Sequence, residues 1–238
     1  MTSYNYEKFS SKEYELGAFR GPTPGVKAPD ARLERLDGSF RQLLDFKGEF
    51  CVIETGSVTC PLFQSRMNGM ETLVKQHPNV DFVILYVREA HPGAQIPQHK
   101  SMSDKLSCAR LVEDARDDGR EVLVDDLEGS AHKAYGSYPN AVFILNKQGC
   151  VVFSSDWNDP VATSRALDLL EKGKPANVRS LFKPARPPVA IRTLKQGGKG
   201  AAADFFKSLP SLIWHNLIRR NLRVLLGAQP EVFPDVKC

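Results

Sequence analysis

The chain has no CxxC pair, no Cys/His cluster with zinc-finger spacing and no internal repeat. Its five cysteines, Cys51, Cys60, Cys108, Cys150 and Cys238, are widely scattered and odd in number. This argues against a disulfide scaffold and a zinc module, and predicts reduced thiols in a cytoplasmic protein. No stretch approaches the roughly 18 consecutive apolar residues of a membrane span. The opening "MTSYNYEKFSSKEYELG" lacks the apolar core of a signal peptide, so a soluble, unexported chain is expected. Net charge is only +4, which does not point to nucleic acid. Without a GxGxxG or P-loop pattern, no nucleotide or flavin is implied, and no metal is expected.

What is present is enough apolar sequence in 238 residues for one ordinary domain with extensions. Residues 1–27 read as a mobile arm rich in turn formers near its end. "ARLERLDGSFRQLLDFKG" alternates around Asp37-Gly38, a hairpin signal. Buried strands are expected at "FCVIETG" and "VDFVILYV", with a helix from Pro61 to about His77 between them. Further on come a helix from Leu106 to Ala115, a strand at "EVLVDD" and a short helix ending at Gly136. A hairpin turns at Lys147-Gln148-Gly149, and a last helix has Asp159 as N-cap, Pro160 at N1 and Gly173 as stop.

This order predicts an α/β domain over residues 28–173, a central mixed sheet flanked by helices. Residues 174–203, rich in Pro, Gly, Ala and Lys, read as a linker or wrapping segment. Residues 204–238 hold a basic amphipathic helix from about Pro210 to Leu226, with Trp214, Ile218, Leu222 and Leu225 on one face. That helix either packs on its own domain or at a homodimer interface, or docks on a partner or an anionic membrane surface.

The stretch "CVIETGSVTCPLF" carries the chemistry. It places Cys60 at the junction of a strand and a helix, where converging backbone N–H groups and the helix dipole favour thiolate over thiol. Ser57 and Thr59 are placed to donate hydrogen bonds to that sulfur, an arrangement suited to a nucleophile. A buried structural cysteine is the alternative for Cys60. Cys51, inside the apolar run, is expected to be inert.

Strand–turn–Cys-Pro–helix, the later "SYPNAVFIL" and the lead-in "APDARLERLDG" resemble thioredoxin-like redoxins, with a peroxiredoxin-type opening. "GSVTCPLF" and "LYVREAHP" more narrowly resemble the iodothyronine deiodinases, with Cys60 where that family has selenocysteine; "CARLVEDAR" and "AHKAYG" also resemble it. The resemblance covers roughly residues 28–172. It implies a thioredoxin-like fold and Cys60 as redox nucleophile, with Ser57 and Thr59 as hydroxyl partners. Glu89 and His91 would be the acid/base and substrate-contacting pair, His91 otherwise being a loop histidine with one hydrogen bond. Cys108 would be a candidate resolving thiol, its alternative being a core position on the stripe Leu106, Ala109, Leu111 and Val112. Pro61, Phe63, Tyr138 and Pro139 would line the substrate pocket, with Tyr138-Pro139 placed like the cis-proline of thioredoxin folds. The peroxiredoxin signature is incomplete: Ile53 replaces its earlier proline and no arginine precedes "AVFIL", although Arg66 is placed to substitute.

Three functions follow as expectations. The first is a thiol oxidoreductase that reduces a peroxide through a sulfenic acid on Cys60, resolved by Cys108 or by an external reductant such as thioredoxin or glutathione. The second is a deiodinase-like reductive dehalogenase of a halogenated phenol. The third is a non-enzymatic scaffold whose C-terminal helix does the work.

Overall fold

The computed structural model describes residues 4–116 and 118–238. The entry hairpin pairs β1 (Arg32–Arg35) with β2 (Phe40–Gln42) across Gly38, whose φ of +84° suits a residue without a Cβ. The chain then runs through β3 (Phe50–Gly56), α1 (Pro61–Gln76), β4 (Val80–Tyr86), α2 (Met102–Asp114) and β5 (Glu121–Val124). It continues through α3 (Ser130–Ala134), β6 (Val142–Asn146), β7 (Val151–Ser155) and α4 (Pro160–Leu170). Helix α2 starts four residues earlier than its apolar stripe suggested, because Ser101 and Asp104 form a capping box.

The strands make one sheet in the order β2-β1-β5-β4-β3-β6-β7. β3, β4 and β5 are parallel, while β6 pairs antiparallel with both β3 and β7. A β-α-β unit followed by a β-β-α unit on a mixed sheet is the thioredoxin-like fold.

Alternate side chains of β3 serve two cores, as a strand covered on both faces requires. Cys51 and Ile53 pack with Leu85, Leu123, Tyr135 and Phe143, whereas Phe50 and Val52 pack with Met70, Leu73, Leu167 and Leu170 of α1 and α4. The one carboxylate on this strand, Glu54, is buried but accepts from Arg120 Nη1 at 2.8 Å, Asn140 Nδ2 at 2.9 Å and Asn158 Nδ2 at 2.7 Å. Those donors offset the cost of burying its charge.

Four features differ from the sequence expectations. The arm is packed rather than loose: Tyr6, Phe9 and Tyr14 are buried, and the Arg88 guanidinium lies 4.7–5.0 Å from the ring centres of Tyr4, Tyr6 and Tyr14. Cation–π contact with a buried arginine is what holds it. Residues 174–203 contain a helix, α5 (Pro187–Gly197), that packs on α1, and they include the start of α6 (Ala201–Leu212). The C-terminal helix therefore begins nine residues before Pro210. It widens into a π-helical stretch (Ile213–Arg220) and ends in α7 (Asn221–Leu226) before Gly227.

Trp214, Ile218, Leu222 and Leu225 are exposed, and the helix is held to its own domain by the opposite side, where Asn216 and Arg220 are buried. Finally, the thiols are not all free. Cys150 and Cys238 are joined, because Asn146 Nδ2 donates to the Pro234 and Val236 carbonyls and draws the C-terminus against the start of β7. Cys51, Cys60 and Cys108 are free. No helix among the described residues is long and apolar enough to cross a membrane.

Candidate active site

β3 and β4 run parallel with Gly56 opposite Tyr86, so the segments leaving both strands lie side by side. This places Ser57, Thr59 and Cys60 beside Glu89 and His91. Cys60 is the N-cap of α1 and Pro61 its first residue, a position where proline loses no helical hydrogen bond. The sulfur accepts from the Phe63 N–H at 3.5 Å. Gly56 is required here, since a Cβ would sit 2.4 Å from the Phe63 ring.

The hydroxyls do not turn to the sulfur as expected. Thr59 donates its N–H (2.8 Å) and its hydroxyl (2.5 Å) to Glu89 Oε2, and its Oγ1 accepts from the His91 N–H at 3.0 Å. Ser57 Oγ accepts from the Ala90 N–H at 3.3 Å, and the Ser57 carbonyl accepts from the Cys60 N–H at 3.2 Å. These two residues splice the nucleophile loop to the loop after β4. A carboxylate is a stronger acceptor than a thiol, which is why Thr59 chooses it.

Cys60 is only 1 % exposed, and burial pushes its thiol up to about 12. The N–H groups of Phe63 and Leu62 lower it, as the helix terminus predicts, but less than burial raises it, and the charges of Glu89 and Glu54 also raise it. The expected depressed pKa is thus overturned: desolvation outweighs the helix end. Burial likewise raises Cys51 and holds His91 neutral, down to about 3. Glu89 is buried too, yet the His99 ring beside it and hydrogen bonds from Thr59 and Tyr86 outweigh desolvation and keep its carboxyl below the ordinary range.

His99, not singled out in the sequence, has Nε2 3.3 Å from Glu89 Oε1, and Tyr86 donates its hydroxyl to the same oxygen. Its loop "IPQHK" gives no periodic signal. Cys108 is half-buried and packs against the apolar cluster that includes Cys60, and burial raises its thiol to about 12. Glu89, His99 and Cys108 each offer a ligand atom within 4.8 Å of the others, a donor set that would suit a soft cation such as zinc. The bonds from Thr59 and Tyr86 account for the carboxylate without one.

Cys60 opens onto an apolar chamber of ≈150 Å³. Pro61, Ala90, His91 and Pro139 form its base. Phe9 and Tyr14 close it from the arm, Phe182 and Pro184 from the segment before α5, and Phe205, Leu209 and Leu212 from the C-terminal helix. Phe63 lies in the core beneath Cys60. Tyr138 stands behind Trp157, at 5.0 Å between rings, with its hydroxyl donating to the Glu15 carbonyl. The peptide before Pro139 is trans; Gly136 and Ser137, at φ +89° and +62°, make the reversal ahead of β6 instead. Arg66 donates to the Asn158 carbonyl at 3.1 Å and to the Lys183 carbonyl, so its hydrogen bonds go to backbone and not to the chamber. The arm and the C-terminal helix were missed as parts of the site because their apolar residues read as surface or partner-facing.

Comparison with known proteins gives the same direction. The family model for iodothyronine deiodinase matches residues 1–163. Thyroxine 5-deiodinase of Rattus norvegicus is 31% identical over 152 residues, covering 58% of this chain and 49% of the relative. The Homo sapiens protein of that name gives the same figures. The match thus spans about half the length of these curated relatives. Among solved structures, a hypothetical protein from Sinorhizobium meliloti 1021 aligns with TM-score 0.55 at 19% identity, over 66% of this chain and 89% of that one. An uncharacterized conserved protein from Geobacillus kaustophilus aligns with TM-score 0.55 at 20% identity, over 67% and 86%. These structures share the fold.

Proposed function

Since this chain belongs to the iodothyronine deiodinase family, we propose that it is a thiol-dependent reductive dehalogenase of halogenated aromatic compounds, with Cys60 as the attacking group. The observation that carries this reading is the Cys60 thiol opening onto a chamber walled by aromatic and aliphatic side chains. Such a site receives an apolar ligand, and a halogen is the part of it that a soft, polarisable sulfur attacks.

In the first step the Cys60 sulfur bonds to the halogen and the carbon–halogen bond breaks. The thiol proton leaves sulfur and the ring carbon takes up a proton, so nothing is left over. An external thiol then attacks the Cys60 sulfur, displacing halide and forming a mixed disulfide. A second thiol restores Cys60. The sum is aryl halide plus two thiols giving arene, disulfide and hydrogen halide. Cys108 is the candidate internal source of one of those thiols. Glu89 holds Thr59, and through it the loop of Cys60 and the backbone of His91, in register. Burial keeps the His91 ring neutral where it lines the chamber, and its Nδ1 has no partner among the described residues.

Peroxide reduction, the first choice on the sequence, has less to support it. The chamber offers a peroxide no cation, since Arg66 is bonded to backbone carbonyls.

The test is halide release. Reduced protein is mixed with 4-iodophenol and excess dithiothreitol, and iodide is followed at an electrode. Catalytic release by the unmodified chain that falls to background in Cys60→Ser supports the reading. No release, or equal release by the variant, contradicts it.

A further inference from the structure

We propose that the Cys60 chamber is a one-ring site: it accepts a single halogenated phenol and excludes a two-ring amino-acid substrate, and the C-terminal helix sets that limit. This deepens the dehalogenase reading and rests on it.

Size is the first argument. A cavity of about 150 Å³ is the size known to hold one benzene ring. The ≈150 Å³ here is matched to one ring and its substituents, and not to two rings joined by an oxygen.

Polarity is the second. No Lys, Arg, Asp or Glu lines the chamber. A ligand carrying a carboxylate and an ammonium would meet no charged partner for either in that lining, and a buried charge without a partner disfavours binding. Besides Cys60, the polar side chains in the lining are Tyr14, whose hydroxyl meets that of Tyr6 at 2.6 Å, Trp157, His91 and Asn216. Asn216 Oδ1 is taken by Trp157 Nε1 at 3.1 Å. The His91 ring lines the chamber, its Nδ1 has no partner among the described residues, and a phenol brings a single polar group.

Rigidity of the roof is the third. Helix residues Phe205, Leu209 and Leu212 lie over the chamber, and Phe205 packs edge-on to His91 at 5.4 Å. The helix cannot easily lift. Arg220 Nε bonds Asp156 Oδ1 at 3.0 Å and its Nη1 bonds the Ser180 carbonyl at 2.6 Å, all buried. At the other end, the N–H groups of Gln95 and Ile96 donate to the Gly197 carbonyl at 3.0 and 3.2 Å. Gly93 allows this approach, since a Cβ there would sit 2.5 Å from that carbonyl oxygen. The roof also lies outside residues 1–163, the part matched by the family model. The narrowing is therefore built from sequence the family match does not include.

The test is equilibrium binding without turnover, by calorimetry on the full chain carrying Cys60→Ser, with 4-iodophenol and an iodothyronine as probes. The expected result is at least tenfold tighter binding of 4-iodophenol. Phe205→Ala and, separately, Leu209→Ala should shrink that ratio by opening the roof, with thermal melts confirming that each variant is folded. Tighter or equal binding of the two-ring probe overturns the inference, as does a ratio that neither roof variant changes. If 4-iodophenol binds as expected but the unmodified chain releases no iodide, the dehalogenase reading fails while the one-ring site stands. If iodide is released from the two-ring compound with equal or better efficiency, the reverse holds.

Discussion

Thr59 donates two hydrogen bonds to a single oxygen of Glu89, one from its backbone and one from its hydroxyl. This pair fastens the loop bearing Cys60 to the loop bearing His91. Replacing Thr59 with Val keeps the shape and removes the hydroxyl. The expected outcome is a ten- to hundredfold loss in the rate of iodide release from 4-iodophenol, of the order reached when a positioning group is removed. Glu89→Gln, which weakens the acceptor of both bonds, should cost a similar ten- to hundredfold. Unchanged rates in both variants would show that the fastening is incidental.

Cys60 alkylation should follow its burial rather than its helix end. With the thiol raised to about 12, the rate of reaction with iodoacetamide should keep climbing with pH from 8 to 10, about tenfold per unit, without a plateau. At pH 8 it should run about three orders of magnitude below that of a free thiol with a pKa near 8.5. A plateau near pH 8.5, read by peptide mapping of Cys60, would contradict this.

Two buried histidines make the fold acid-sensitive. Burial lowers His91 and His132 to about 3, and His132 is further lowered by Arg88. The unfolded chain takes up their protons near pH 6.5, while the folded chain does not until about pH 3. Stability is therefore fully present above pH 6.5 and is lost as pH falls from there toward 3, by up to about 1.4 kcal/mol per pH unit for each histidine. Urea melts at pH 7, 5.5 and 4.5 check the slope. A curve that is flat over that range in the unmodified chain, or unaltered by His132→Asn, would refute the assignment.

The Cys150–Cys238 link closes a loop across 88 positions and pins the C-terminus to the sheet edge. Cys238→Ser should lower unfolding stability by about 2–4 kcal/mol, and dithiothreitol should destabilise the unmodified chain but not the variant. Equal melts with and without reductant would show that the link does not form.

Much of the fold was legible because its signals are local. The run "FCVIETG", the Asp159-Pro160 cap and the Gly38 and Gly149 turns each specify their element within a few residues. The Cys60 junction was legible for the same reason. What was not legible depends on contacts distant in sequence. The thiol pKa turned on burial against residues distant in sequence, Tyr86, Ala90 and Ile96 among them, which residues 57–63 cannot reveal. The Cys150–Cys238 pairing depends on Asn146 gripping residues 234–236. His99 reaches Glu89 from a loop without periodicity, and Ser137, two residues before Pro139, takes the left-handed conformation that serine seldom adopts.

The most direct measurement of the central claim is peptide mass mapping of the three free cysteines after stoichiometric 4-iodophenol without reductant, run beside a sample treated with stoichiometric hydrogen peroxide, with surviving thiols alkylated after unfolding. The account predicts that the iodinated phenol consumes Cys60, that iodide appears in step with loss of the Cys108 thiol or on later addition of dithiothreitol, and that Cys51 stays intact, with peroxide the poorer oxidant of Cys60. Survival of Cys60 with the phenol, together with its ready oxidation by peroxide, would contradict the account and return peroxide reduction to first place.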